Sequence, residues 1–297
     1  MGKQDNIRRS VAKSYAKAIT SGGGCCGGDG IPQGTFAKLA NYSREELDSL
    51  PPDAVVSSFG CGNPLAFSEV KEGDVVLDLG SGAGIDLLLA AKHVGTSGRV
   101  IGVDMTDEMI AEARKNIAAT GLANIEVRKG LIEELPVDTG SVDWVISNCV
   151  VNLSPNKPRV FAEIARVLKP GGKVRISDIV TQDLPAWVRQ SEALYSICVA
   201  GAISESDYLQ GLRDAGLRQA AVQERIVYDA AQLRNLLACE AVAADVLATT
   251  NQPTENTPLS VIQDSCCDCR SPDRAQVDLI VAEFTGKVWS AIFVAVK

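Results

Sequence analysis

The stretch VVLDLGSGAGIDLLLAAKHV, residues 75–94, decides the fold of this chain. A short apolar run at 75–79 is followed at once by the glycine-rich loop GSGAG at 80–84 and then by a segment with helical apolar periodicity. A loop of this kind brings backbone N–H groups at a helix N-terminus close to a ligand, which suits an anion. The stretch therefore predicts a strand, a ligand-binding turn and a helix.

Further strands and helices alternate after this unit. The predicted strands are RVIGVD at 99–104, IEVRKG at 125–130, VDWVISN at 142–148 and KVRISDI at 173–179. Helices are predicted at 107–120, with Thr106 as the cap, and at 156–168, with Pro-Gly-Gly at 170–172 as the stop. A last strand at 287–297 is predicted to run antiparallel. This spacing predicts an α/β fold with a Rossmann-like, doubly wound parallel sheet and helices on both faces.

The composition limits the function. Lys and Arg number 29 against 37 Asp and Glu, a net charge of −8, which argues against a nucleic-acid partner and against docking on an anionic membrane. No apolar run is long enough for a membrane helix and no signal peptide is visible, so a cytoplasmic protein is expected. The nine cysteines are then expected mostly as thiols, and the single histidine leaves most histidine-dependent mechanisms without their usual base.

The spacing of the glycines limits the kinds of ligand that the loop can bind. The dinucleotide fingerprint needs a third glycine where this chain has Ile85, so the pattern is GxGxG and NAD is disfavoured. Asp104, which ends the second predicted strand, is placed to accept hydrogen bonds from both ribose hydroxyls. Asp78, just before the loop, can hold a ligand ammonium directly or through water. An amino acid joined to a nucleoside meets both requirements, and S-adenosylmethionine is such a molecule.

The pattern Asp78-x-Gly80-x-Gly82-x-Gly84 with Asp104 resembles the class I S-adenosylmethionine-dependent methyltransferases over roughly residues 70–180. GLIEELP at 130–136 occupies the place where that family contacts adenine, and VLKPGGK at 167–173 matches its usual entry into the fifth strand. The resemblance implies donor contacts from a set of residues along the strand ends: Asp78, Gly80, Ser81, Gly82, Gly84, Asp104, Met105, Ile132, Glu133 and Asn148.

Three cysteines lie in separate segments that could meet near this donor. Cys149 follows the carboxyl end of the fourth predicted strand, where open α/β sheets bind ligands. Cys61 lies in a turn before the glycine loop, and Cys198 lies in the helical region after the fifth strand. Each could instead be a small buried hydrophobe, the usual role of a cysteine thiol. The contexts FGCGNP, SNCVVNL and ICVAGA together resemble the arsenite methyltransferases over nearly the whole chain.

That resemblance implies that Cys61, Cys149 and Cys198 are the catalytic thiols and bind As(III), with Cys25 or Cys26 as a further participant. The chemistry agrees, because trivalent arsenic is soft and prefers thiolates. Its lone pair can take the sulfonium methyl group without a general base. Thiols that reduce arsenic after the methyl transfer would form a disulfide. A small thiol or a thioredoxin-type reductant would then reduce that disulfide. Arsenite and methylarsenite are the expected substrates, and a monomer is expected.

Two other functions are compatible with parts of the sequence. A class I methyltransferase acting on a small organic acceptor such as a quinone would leave the three cysteines without a role. A thiol-based metalloid or redox sensor would leave the glycine loop and Asp104 unexplained. Three further cysteines, Cys266, Cys267 and Cys269, could form an accessory arsenite-binding site or half of a zinc site, but exposed thiols that scavenge arsenite are expected. Cys239 is expected to be a core residue.

The sequence predicts three parts. Residues 1–70 hold an N-terminal helix, at 5–20, and cysteine-bearing loops. Residues 71–182 form the S-adenosylmethionine-binding Rossmann-like domain. Residues 183–297 hold the acceptor-pocket helices and a smaller α+β region, with a strand at 220–228, a helix to about 247 and a cysteine-rich loop at 249–275.

Overall fold

The computed structural model describes residues 2–20, 42–56, 62–64, 69–237, 278 and 281–297. One seven-stranded sheet has the order β3-β2-β1-β4-β5-β7-β6. Strands β1 to β5 are parallel, and β7 is antiparallel to both β5 and β6, as predicted for the last strand. The strands are β1 (Val75–Leu79), β2 (Arg99–Asp104), β3 (Ile125–Lys129), β4 (Val142–Asn148), β5 (Leu168–Thr181), β6 (Arg218–Val227) and β7 (Val288–Val296).

Helices connect the strands and cover both faces of the sheet. The helices are α1 (Lys3–Thr20), α2 (Arg44–Asp48), α3 (Pro52–Val56), α4 (Ile85–Val94), α5 (Asp107–Thr120), α6 (Lys157–Val167), α7 (Glu192–Ser196), α8 (Glu205–Asp214) and α9 (Ala230–Leu237). Short 3₁₀ turns occur at Val151–Leu153 and Val188–Gln190. No helix of the described residues is long and apolar enough to cross a membrane.

Apolar side chains cover both faces of the sheet, and β1 contributes to the core on each face. Leu77 and Leu79 pack into one apolar cluster with Phe161 of α6, and Val76 packs into a second cluster with Leu88 of α4. Side chains that alternate between two covered faces are typical of a parallel sheet wound in both directions. The Rossmann-like α/β fold predicted from the sequence is confirmed.

One local prediction was wrong, and a second was right in position but not in its hydrogen bond. The Pro-Gly-Gly at 170–172 does not separate a helix from a strand, since β5 already begins at Leu168. Gly171 takes a positive φ of 80°, and its N–H donates to the Lys297 carbonyl, so the glycines make an irregularity within the strand. Thr106 occupies the cap position of α5, but its side chain makes no capping hydrogen bond. The Asp104 carboxylate instead accepts the Thr106 N–H at 2.8 Å.

The last part of the chain joins the same sheet. Strands β6 and β7 extend it beyond β5, so this region shares the central core. The predicted helix at 230–247 is described only as Ala230–Leu237, and the predicted loop at 249–275 lies outside the described residues. The division into residues 1–70, 71–182 and 183–297 stays a prediction.

Candidate functional site

The glycine loop lies at the carboxyl end of β1, against β2. Gly80, Gly82 and Gly84 all have a positive φ, at 66°, 51° and 94°, a conformation that other residues rarely adopt. The Gly80 and Ser81 N–H groups donate to the Val103 carbonyl at 2.8 and 3.1 Å. The loop is therefore tied to β2, and its sharp turn leads directly into α4.

Asp104, the last residue of β2, binds the glycine loop through its carboxylate. Its Oδ2 atom accepts the Gly82 N–H at 3.0 Å, while Oδ1 accepts the Thr106 N–H. Burial raises the pKa of Asp104, and these backbone hydrogen bonds oppose the rise. The carboxylate thus holds the glycine loop in place and faces the space above it.

A cavity opens over the loop and the strand ends, with about 960 Å³ of space between its walls, open solvent included. Open α/β sheets bind their ligands in such a crevice beyond the carboxyl ends of the strands. Most of the predicted donor residues line it: Gly80, Ser81, Gly82, Asp104, Met105, Ile132, Glu133 and Asn148. Asp78 and Gly84 are not among the described residues that line it; Asp78 is buried just behind the wall, close to Asp86 and Asp104.

Helix α1 supplies a wall that the sequence did not predict. Arg8, Val11 and Tyr15 line the cavity. The Arg8 guanidinium donates to Glu133 Oε1 at 3.1 and 3.2 Å, and the Tyr15 hydroxyl donates to the Ser196 carbonyl at 3.2 Å. The period of Val11 and Tyr15 indicated only a helix with one apolar face. No local signal showed that this face covers a ligand site.

Asp86, in the first turn of α4, is another cavity residue that the sequence did not predict. It lines the cavity and accepts the Tyr42 hydroxyl at 2.8 Å. Asn148, at the end of β4, donates to the Tyr42 hydroxyl at 3.1 Å and accepts the Gly62 N–H at 3.2 Å.

Burial raises the pKa of Asp86 to about 6, against the hydrogen bonds from Tyr42 and Asn148. Burial, and then the charges of Asp86 and Asp104, raise the pKa of Asp78 well above its usual value.

These raised pKa values predict how stability depends on pH. Between pH ~4 and pH ~6 the folded chain holds a proton at Asp86 that the unfolded chain has released, so stability without ligand should fall as pH rises through this window. The contribution of Asp86 to this loss is of the order of 3 kcal/mol, and Asp86→Asn should remove that contribution, while those of Asp78 and Asp104 stay. Urea unfolding at several pH values measures it, with the exposed Asp138→Asn as the control. An unchanged slope in Asp86→Asn would contradict the assignment.

Residues 130–133 form another part of the cavity wall. Glu133 is buried, and its Oε1 atom accepts hydrogen bonds from Arg8 and from the Ser154 hydroxyl at 2.8 Å. Ile132 is also buried in this part of the wall. The apolar Ile132 side chain can pack against a flat heterocycle. The fixed Glu133 carboxylate can accept a hydrogen bond from the edge of the same ring.

Cys149 and Cys198 meet beside the cavity. Cys149 follows β4 and lines the cavity, and Cys198 follows α7. The Cys198 Sγ atom donates to the Cys149 carbonyl oxygen at 2.7 Å across 49 residues of sequence. Both are nearly inaccessible, at 5% and 3% exposure, and share an apolar cluster with Val11 and Leu153. Cys149 is one half of a disulfide bond, while Cys198 carries a reduced thiol.

The backbone at both cysteines is strained. Cys149 has a φ of 60° and Cys198 a φ of 68°, values that are uncommon for residues other than glycine. Such conformations persist when surrounding contacts hold them, and they are concentrated at functional sites. The remaining predicted thiols, Cys61, Cys25 and Cys26, lie outside the described residues, as do Cys239, Cys266, Cys267 and Cys269.

The doubly wound sheet, the GxGxG loop and the acidic end of β2 define a class I methyltransferase. A family model described as a methyltransferase domain matches residues 70–216. An arsenic(III) S-adenosylmethionine methyltransferase of Chlamydomonas reinhardtii has a solved structure that is 36% identical, with a TM-score of 0.55 over 70% of each chain. Among curated proteins, the arsenite methyltransferase of Halobacterium salinarum is 43% identical over 73% of this chain, and that of Aquipseudomonas alcaligenes is 36% identical over 68%.

The chain belongs to the arsenite methyltransferase family. It covers 59% of the length of each of these two curated relatives.

Proposed function

We propose that this protein transfers a methyl group from S-adenosylmethionine to trivalent arsenic held by thiolates, and so serves arsenic detoxification. The observation that carries the proposal is the meeting of Cys198 with Cys149 at the wall of the donor cavity. Two cysteines from separate segments, one of which lines the donor cavity, suit a soft acceptor with a lone pair. An organic acceptor such as a quinone would not need either thiol.

The residues present fit the methyl donor. The Ser81 hydroxyl is buried in the cavity wall and has no hydrogen-bond partner among the described residues, so a polar ligand atom can satisfy it. Open space lies where a side chain at Gly82 would project. Asp86 and Asp104 place carboxyl groups in the wall around a ligand that carries an ammonium and a sulfonium. The bound donor supplies a methyl group on positively charged sulfur.

Each group of the site then has a defined task. Asp104 accepts the ribose hydroxyls, and Ile132 and Glu133 enclose the adenine. Cys149 and Cys198 bind arsenite or methylarsenite as thiolates, each arsenic–sulfur bond replacing one hydroxide that leaves as water. The apolar cluster around both cysteines excludes water from the arsenic lone pair. Alignment of that lone pair with the methyl group provides the main acceleration, because no proton has to leave the nucleophile.

The methyl transfer raises arsenic formally from the trivalent to the pentavalent state. Two thiolates can restore the trivalent state by giving up two electrons and forming one disulfide. Cys61, with Cys25 or Cys26, is our candidate for this exchange, together with Cys149. A small thiol or a thioredoxin-type protein would then reduce the disulfide by exchange. A reducing cytoplasm suits a site that depends on thiols.

The disulfide at Cys149 predicts an absolute requirement for a reductant. Protein purified without thiols should bind no arsenite at this site, since Cys149 cannot be a ligand while it is oxidised. Treatment with a thiol reductant, followed by its removal, should restore binding of one arsenic per chain. Elemental mass detection of arsenic that coelutes with the protein measures this. Equal binding before and after reduction would contradict the prediction.

The direct test of the function is arsenic speciation. Reduced protein is incubated with arsenite, S-adenosylmethionine and a thiol, and arsenic species are separated by chromatography with elemental mass detection. Methylated arsenic formed in proportion to protein is expected. Its absence, while donor binding is measurable by calorimetry, would refute the proposal and direct attention to organic acceptors.

A further inference from the structure

Asn152 lies in the 3₁₀ turn that follows Cys149 and is fully buried. Its backbone N–H donates to Asp178 Oδ2 at 3.1 Å, and its Nδ2 atom donates to Asp178 Oδ1 at 2.8 Å. The same Nδ2 atom donates to the Ile179 carbonyl at 2.6 Å. Asp178 is itself fully buried on β5, so the turn that carries Cys149 is bound to an interior strand of the sheet.

The opposite side of Asn152 contacts the turn that carries Cys198. A Cβ atom on Gly201 would lie 2.2 Å from the Asn152 carbonyl oxygen, so the Gly201 backbone packs directly on it. The Lys157 ammonium donates to that same oxygen at 3.3 Å. Asn152 thus contacts β5 and the Cys198 turn, and it lies in the turn that carries Cys149.

Two further observations indicate that this contact sets the geometry of the thiols. Cys149 and Cys198 both have a left-handed backbone, which must be held by neighbouring contacts. The Oδ1 atom of Asn152 is buried without a hydrogen-bond partner among the described residues. A buried amide with an unsatisfied oxygen is not optimised for stability, which favours a role in positioning.

We infer that Asn152, held by Asp178, is a positioning residue that sets the separation of the Cys149 and Cys198 sulfurs so that both can bind one arsenic atom. The inference rests on the proposed function. It predicts that Asn152 matters for ligands that need two thiolates and not for ligands that need one. A residue that only stabilised the fold would not distinguish the two.

Two trivalent arsenicals separate these roles. Methylarsonous acid has two exchangeable hydroxyls and binds two thiols with release of two waters, whereas dimethylarsinous acid has one and binds one thiol. In reduced Asn152→Ala we expect binding of methylarsonous acid to weaken about 10- to 100-fold and binding of dimethylarsinous acid to stay within about twofold. Affinities are measured by calorimetry, and X-ray absorption counts the arsenic–sulfur bonds.

Two other variants approach the same contact from either side. Gly201→Ala forces a methyl group against the Asn152 carbonyl, and Asp178→Asn removes one acceptor from the Asn152 N–H groups while keeping the shape. Both should show the same selective loss, and they carry the test if Asn152→Ala does not fold. Asn124→Ala is the matched control, because Asn124 donates to the Gly95 carbonyl at 2.8 Å, away from both cysteines.

The outcomes are distinguishable. Selective loss of methylarsonous acid binding in the three variants supports the inference. Wild-type affinity for both arsenicals, or equal loss of both, overturns it. If wild-type protein binds methylarsonous acid no more tightly than Cys198→Ser does, the proposed function fails, and the inference fails with it.

Discussion

Replacing Cys198 with serine is expected to lower the rate of arsenic methylation by at least about 100-fold while leaving S-adenosylmethionine binding unchanged. A serine hydroxyl can still donate to the Cys149 carbonyl oxygen, as the Cys198 thiol does at 2.7 Å, so the local fold is kept. Oxygen is a hard ligand and holds trivalent arsenic poorly at neutral pH. The variant therefore removes one soft ligand and little else. Cys149→Ser is expected to have a similar effect.

Speciation of arsenic after single and multiple turnovers measures the loss, and calorimetry measures donor affinity. Cys239→Ser is the control, since the sequence predicts Cys239 as a core residue outside the thiol set. Near-normal methylation by Cys198→Ser would show that arsenic is held elsewhere. Loss of both methylation and donor affinity would indicate damage to the fold instead of to the ligand set.

Gly80→Ala is expected to destabilise the protein and to weaken the donor site. A Cβ atom at Gly80 would lie 2.3 Å from Val150 Cγ2, and the positive φ of 66° is unfavourable for alanine. The backbone strain costs about 1–2 kcal/mol, and overpacking against Val150 adds about 1–3 kcal/mol. Because Val150 directly follows Cys149, the displacement should reach the thiol site and lower methylation as well as donor affinity.

Two companion variants isolate the cause. Gly121→Ala is matched in backbone, with a φ of 70°, but has open space around its Cβ position at the end of α5, so it should lose only the first contribution. Val150→Ala in the Gly80→Ala background should recover part of the loss, because it removes the clashing methyl groups. Urea unfolding and donor calorimetry measure both effects. Equal destabilisation by Gly80→Ala and Gly121→Ala would contradict a steric role for Val150.

The order of strands and helices was predictable because it depends on local pattern. Apolar runs of strand length and helical periodicity in α4 and α5 are set by residues close in sequence. The glycines of the loop could be recognised because their backbone conformations are intrinsic to glycine. The Pro-Gly-Gly at 170–172 misled the prediction because its outcome depends on Lys297, which pairs with it from the end of the chain.

The sequence by itself determined the doubly wound sheet, the ligand-binding loop and the acidic residue at the end of β2. Only the tertiary structure decided which side chains enclose the site. The contact of Cys198 with Cys149, the wall formed by Arg8 and Tyr15, and the place of Asp86 all join residues from distant segments. The apolar periodicity of the sequence does not predict such contacts, because they arise when separate elements pack on a shared core. The sequence therefore predicted the glycine loop and its acidic partner, and the packing of distant elements brought Cys149 and Cys198 into contact beside them.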